Sequence, residues 1–329
     1  MPAIITHYLM SKASAASLGD SEVSKSVNEC KDIFYLGAQG PDIMFFALGN
    51  KELNKLGSRM HREGINSFFA ECVNKIRKTA AHEGRSEIIA YMVGFLCHYA
   101  LDTCAHPYIY YKSGFADEDG NLGGESRERH RFLETSIDCL LSEALDEKDA
   151  YSLNIAKVIS TSTKKRDLIG QFLSDVIAES YGLFIYPEDY AKAMKDIALV
   201  YKLFRDKTGK RKVIAKVLGK MARDHGSTAA LIHYSPVKDL DYLNTQRGYW
   251  SYPWDDSIQV NLTFMDLFNK AVEDSHIYIN AFTKAINKEF DERIALKILG
   301  NKNFSTGLEN PVKFLYYSIG FENSGGQVM

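Results

Sequence analysis

His98, Asp102 and His106 recur at every fourth position of one apolar stretch, His98-Tyr-Ala-Leu-Asp102-Thr-Cys-Ala-His106-Pro107. On a helix turning by about 100° per residue these side chains fall within an arc of roughly 80°, so imidazole, carboxylate and imidazole stack on one face. Ile88, Ile89, Tyr91, Met92, Val93, Phe95 and Leu96 cover nearly every other direction, which predicts a buried helix within residues 86–111. A buried ionisable stripe must be paired or bound to metal. Gly94, one turn earlier on the same face, leaves room beside it, and Pro107 is expected to end the helix because its ring cannot continue the hydrogen-bond ladder.

Other donors of the same kind are spread over the N-terminal part of the chain. His130 and Glu134 stand one turn apart on a helix expected over 127–145, with Asp138 continuing that face. Alone, such a pair is more often a surface interaction, so its weight comes from company. In Gly37-Ala-Gln-Gly40-Pro41-Asp42 a turn leads into a helix with Pro41 at its first position, and Asp42 by itself reads as a first-turn acid complementing the helix dipole. His7 lies near the start of a helix over 4–16, and His61 in the first turn or so of a helix over 58–81 that buries Ile65, Phe68, Phe69, Cys72 and Ile76. His7, Asp42, His61, His98, Asp102, His106, His130 and Glu134 together exceed what one zinc needs, and two or three ions would use them all. His82, His225, His233 and His276 show no comparable grouping and are expected on the surface or in packing roles.

Two further patterns have plainer readings. Asp117, Asp119, Asn121, Glu125 and Glu128 follow a calcium-loop template except that Leu122 stands where glycine is required, so a solvated acidic loop is expected and calcium is not. Nine basic residues and one acid between Lys202 and Arg223 could hold phosphate or an anionic membrane surface, with a solvated helical face as the plainer alternative. Cys97 and Cys104 flank the ligand stripe but point away from its arc.

Composition sets the frame for these elements. Forty basic and forty-two acidic side chains leave a net charge of -2, which argues against bulk attraction to nucleic acid or anionic lipid and leaves only local patches. Residues 1–17 lack a secretory pattern, the longest apolar run, 88–97, is short of the roughly 20 residues of a membrane span, and the five cysteines form no CxxC pair. A reducing cytoplasm is the expected location. Helical periodicity continues over 151–204, 263–286, 290–299 and 311–318, whereas 234–262, which holds both tryptophans, Trp250 and Trp254, reads as irregular. Alternating strand patterns are nearly absent. The expectation is an all-α, single-domain architecture over 1–329, with a metal-ligand half (1–145), supporting helices and a Trp/Pro loop (146–321) and a frayed tail (322–329).

The order of these donors (His, then Gly-Pro-Asp, then His, then HxxxD with a following His, then HxxxE) on an all-helical chain resembles the zinc-dependent phospholipase C family, whose fold is shared with fungal single-strand-specific nucleases. The resemblance implies that Asp42, His61, His98 and Asp102 hold one zinc, that His106, His130 and Glu134 hold a second, and that His7 with bridging Asp102 belongs to a third. Two features depart from the secreted members. There the histidine after HxxxD stands further from the Asp than His106 does from Asp102, and an N-terminal Trp completes the third site, where this sequence has Met1-Pro2.

The activity implied is hydrolysis of a phosphate ester by a metal-activated water, with Asp42 as both ligand and general base. A phospholipid substrate, with peripheral membrane contact, is what the family suggests. A nuclease or phosphomonoesterase would use the same metals, the nuclease adding stacking aromatics and a basic groove. The rival from another class is a non-catalytic protein whose zinc staples helices together or whose site has decayed. Two other helical metal classes fit worse, since the chain has no His-Asp dipeptide and only one Glu-x-x-His, Glu273 to His276, where di-iron bundles use two. Mixed imidazole and carboxylate ligands accept several divalent ions, manganese and iron among them.

Overall fold

The computed structural model describes residues 4–19, 21–115, 117–146, 149–150, 152–204, 210, 232–233 and 240–315. Its elements are α1 (Ile4–Ala15), α2 (Glu22–Glu29), α3 (Lys31–Gly37), a 3-10 helix (Gly40–Phe46), α4 (Lys51–Met60), α5 (Ile65–Lys78), α6 (Arg85–Ser113), α7 (Gly124–Asp146), α8 (Ile155–Val158), α9 (Thr163–Tyr181), α10 (Pro187–Phe204), a hairpin of β1 (Trp250–Tyr252) and β2 (Asp255–Val260), α11 (Phe264–Ile286) and α12 (Glu292–Leu299). The fold is all-α, as the periodicity predicts.

The organising element is α6, 29 residues long and buried on nearly every side, with α1, α2, α3, α7 and α11 packed around it. It is long and apolar enough to cross a membrane by length and composition, yet 94% of its most apolar window is buried inside the protein. It continues past Pro107, against expectation. Proline removes the N–H that would bond the carbonyl four residues back, that of Thr103. That oxygen instead faces Gly307, where a Cβ would come within 2.4 Å of it and where φ is +70°. Only a glycine lets the C-terminal segment lie this close to the interrupted turn.

Gly94 is also used differently from the expectation. A Cβ there would stand 2.1 Å from the Phe34 carbonyl oxygen, and one at Gly37 would stand 2.1 Å from that of Tyr91. The room at Gly94 therefore admits the backbone of α3, which packs against α6 through the two glycines.

Three other expectations change. The single helix over 58–81 is two, α4 and α5, because Gly64 adopts φ +75° between them, at a point where a Cβ would press to 2.7 Å from the Tyr181 ring. The irregular 234–262 region contains the β1–β2 hairpin, with Trp250 opposite Val260. Its second strand is mostly exposed and so shows no alternation to read. Trp250 is buried against Tyr108 and Tyr111 of α6 and donates its indole N–H to the Leu262 carbonyl at 3.0 Å, a packing role. Residues 311–315 are not helical, since the Phe314 and Leu315 amides donate to the Glu118 and Pro253 carbonyls instead. The basic run beyond Lys202, apart from Lys210, lies outside the described residues, as do 316–318 and the 322–329 tail.

Candidate metal centre

Each of the eight candidate residues is carried by an element whose placement has a local cause. His7 lies in the first turn of α1, and that turn is gripped by Asp138 of α7. The Asp138 carboxylate accepts from the Ile5 amide (3.1 Å), the Thr6 amide (2.7 Å), the Thr6 hydroxyl (2.7 Å) and His233 Nε2 (2.7 Å). Asp42 sits in the 3-10 helix that begins at Gly40, whose φ of +51° and missing side chain matter, because a Cβ there would lie 2.4 Å from His98 Cδ2. His61 closes α4 at the turn before Gly64. His98, Asp102 and His106 come from successive turns of α6, and His130 and Glu134 from α7.

These elements bring all eight side chains into one continuous cluster. Asp102 lies at its centre, with His98 Nε2 at 3.1 Å, His7 Nε2 at 3.3 Å, His106 Nδ1 at 3.6 Å and His61 Nε2 at 3.8 Å from its carboxylate oxygens. Asp42 approaches His61 Nε2 at 3.1 Å through Oδ1 and His98 Nε2 at 3.7 Å through Oδ2. Glu134 meets His130 Nε2 at 3.1 Å and His106 Nε2 at 3.8 Å. Three sets have donor atoms within 4.8 Å of one another: His61, His98 and Asp102; His106, His130 and Glu134; and His7, Asp42 and His98. His7, whose ring stacks on that of His98 at 4.2 Å, thus faces both Asp42 and Asp102.

The imidazoles are oriented from behind. His61 Nδ1 lies 2.7 Å from the Gly57 carbonyl, His98 Nδ1 3.2 Å from that of Ala38 and His106 Nδ1 3.1 Å from that of Phe304, while His130 Nδ1 is 3.3 Å from the Ser113 hydroxyl. A carbonyl can only accept, so Nδ1 carries the proton in the first three and the Nε2 lone pair points into the cluster. Burial pushes His98 and His130 below the ordinary histidine range, against the pull of Asp102 and Glu134 respectively, which favours the neutral, metal-binding form. Burial would raise the Asp102 and Glu134 carboxyls, but His106 beside the first and His130 beside the second hold both well below the usual range. Burial would lower His106, yet Asp102 and Glu134 push it up to about 9, so without a cation its Nε2 also holds a proton, which a bound cation would displace.

The donors fit metal ions by a direct test. Among the described residues His7 Nδ1, Asp42 Oδ2, His98 Nε2, Asp102 Oδ2 and Glu134 Oε2 are buried without a hydrogen-bond partner. Orphaned lone pairs at this density cost on the order of 1–3 kcal/mol each unless a cation collects them. Two of the eight side chains meet solvent, His61 at 15% and His106 at 14% exposed, while the other six are 6% or less. Neither flanking thiol joins in, since Cys104 donates to Asp274 and burial pushes Cys97 up to about 12.

Two supports were not legible in the sequence. Phe304 packs on the rings of His61 (5.0 Å) and His98 (5.8 Å), its amide donates to the His61 carbonyl at 2.8 Å, and its carbonyl receives His106 Nδ1. The other is His233, read as surface or packing, which is buried against Asp138. His276 reaches the Ser14 carbonyl (3.0 Å) and His82 is exposed, while His225 lies outside the described residues. In the acidic loop, Asp117 Oδ1 accepts from the amides of Asp119 and Asn121, so this carboxylate caps its own turn.

A family model described as zinc dependent phospholipase C matches residues 6–183, a span that includes all eight cluster residues. No curated protein and no solved structure matches the chain.

Proposed function

Because the chain belongs to the zinc-dependent phospholipase C family, we propose that it is a hydrolase of phosphodiesters, with phospholipids as its substrate class, and that the cluster around Asp102 is its active centre. The observation that carries this reading is the set of orphaned buried donors, with His61 and His106 partly exposed at its edge. A zinc that only staples helices is closed by four protein ligands, whereas these residues supply more ligands than one ion takes and two of them, His61 and His106, meet solvent.

In this reading Asp42, His61, His98 and Asp102 hold one ion, His106, His130 and Glu134 a second, and His7 with Asp102 takes part in a third. Bound zinc supplies Lewis-acid stabilisation of the phosphoryl oxygens and lowers the pKa of an attacking water. The protein's own groups do the rest. Asp42 has two oxygens, Oδ1 against His61 and Oδ2 buried without a hydrogen-bond partner among the described residues, so one can meet a cation while the other accepts a proton from the nucleophile. The Nδ1 bonds of His61, His98 and His106 to backbone carbonyls fix the tautomer and ring plane in advance. Phe304, and Phe45 at 5.6 Å from the His61 ring, form a low-dielectric wall on that side, which strengthens every charge interaction within.

The test is metal analysis of the purified protein joined to assays against phosphatidylcholine, single-stranded nucleic acid and a small phosphomonoester. Two or three zinc ions per chain with preferential cleavage of the phospholipid is the expected result. A protein that binds no zinc overturns the reading, and preference for nucleic acid or phosphomonoester reassigns the substrate while keeping the site.

A further inference from the structure

Away from the metal centre, α8, the start of α9 and the C-terminal half of α10 enclose an open groove of about 630 Å³. None of its lining residues belongs to the metal cluster, and none of them is acidic. Lys157, Arg166, Lys195 and Lys202 rim it, over a floor that includes Ala156, Met194 and Ala198. Arg166 is held in place by hydrogen bonds to the Thr161 carbonyl and the Thr163 hydroxyl. Of the acids on adjoining elements, Asp32 is engaged by Lys165 and Thr161 and Asp196 by Lys192, while Asp167 follows Arg166 on α9 without lining the groove. Lys157, Lys195 and Lys202 have no ion-pair partner among the described residues.

The α10 contribution has a definite pattern. Lys195, Leu199 and Lys202 follow one another at helical spacing, so an apolar side chain 49% exposed stands between two cations on one face, and Leu203, one residue on, is 57% exposed. Exposed leucines among unpaired lysines suit neither a solvated face, which needs no leucine, nor a protein core, which would not seat the charges. They suit an interface that is anionic at its surface and apolar just beneath it.

We propose that this groove and the adjoining face of α10 dock the protein on an anionic phospholipid surface, with lipid phosphates among Lys157, Arg166, Lys195 and Lys202 and with Leu199 entering the boundary between headgroups and acyl chains. Such docking is separate from hydrolysis and is read from partitioning alone, the measurement being repeated after chelation of metal to exclude turnover, so it stands or falls independently of the active-site reading. Each basic residue close to an anionic bilayer contributes about 1 kcal/mol, or roughly fivefold in partitioning.

Co-sedimentation of the full chain with vesicles of phosphatidylcholine, with and without phosphatidylglycerol, tests this. Sedimentation is expected only with the anionic vesicles, weakening as salt is raised. The combined variant Lys157→Gln, Lys195→Gln, Lys202→Gln should lose roughly a hundredfold in partitioning, and Leu199→Ser about tenfold, with thermal unfolding and zinc content unchanged. Should the combined variant fail to fold, Lys195→Gln alone should still lose about fivefold. The proposal is overturned if the wild type ignores anionic vesicles, or if the lysine variants sediment like the wild type. Displacement from vesicles by millimolar inorganic phosphate also overturns it, and makes the groove a site for a small phosphorylated solute.

Discussion

Two buried carboxylates, Asp102 and Asp138, each lie against histidine, and the molecule treats them in opposite ways. Asp138 accepts from two amides, a hydroxyl and His233, so both its oxygens are satisfied and its work is to pin the first turn of α1. Asp102 is approached by four imidazoles, yet its Oδ2 has no hydrogen bond among the described residues, and neither has His98 Nε2 beside it. Residue types are the same and burial is nearly the same, 1% exposed against 3%. The difference is completeness. A finished polar network rigidifies a fold, whereas an unfinished one of this density is kept for something the protein must bind.

Substitutions can break this contrast. Asp102→Asn should abolish zinc binding and lower phosphodiester hydrolysis by about 10³-fold or more. A variant that keeps its zinc would place Asp102 with Asp138 as a structural residue. Asp138→Ala should do the reverse and cost about 3–5 kcal/mol in a denaturant titration, since it strands His233 and the Ile5 and Thr6 amides. Gly40→Ala tests the geometry between the two. Its Cβ would collide with His98 at a backbone angle that disfavours alanine, and zinc affinity should fall about 10- to 100-fold in a competition titration.

The smallest effect concerns a third carboxylate, part-exposed Asp32. Burial would raise its carboxyl, but hydrogen bonds from Lys165 and Thr161 hold it below the ordinary 3.8. A carboxyl depressed in the folded state contributes fully above its unfolded value and loses that contribution as pH falls through the folded one. Asp32→Asn should therefore be less stable by about 1 kcal/mol at neutral pH, solvent screening included, with the difference shrinking as pH falls below 3.8. Unfolding titrations in the two pH ranges check it.

What could be read from the sequence was whatever a single helix carries. His98, Asp102 and His106, like His130 and Glu134, lie on shared helical faces, so spacing alone groups them. The meeting of His7, Asp42 and His61 with that stripe depends on how α1, the 3-10 helix and α4 pack, which spacing does not specify, and it was the resemblance to a family that ordered them. Long-range compensation misled the local rules. Pro107 stops a helix in isolation, but here the neighbours of α6 and the close approach of Gly307 sustain it. Asn301-Lys-Asn-Phe304 reads as turn, and nothing local marks its phenylalanine as the wall of a site whose histidines lie some 200 positions earlier, as His106 does from Phe304.

That wall has a practical consequence for anyone cutting the chain. The segment matching the family ends at residue 183, yet Phe304 closes over His61 and His98 and supplies the carbonyl behind His106. A fragment trimmed to the matching span would hold all eight cluster side chains and lack the ring and carbonyl that orient them, so a shortened chain should retain residues through at least 307.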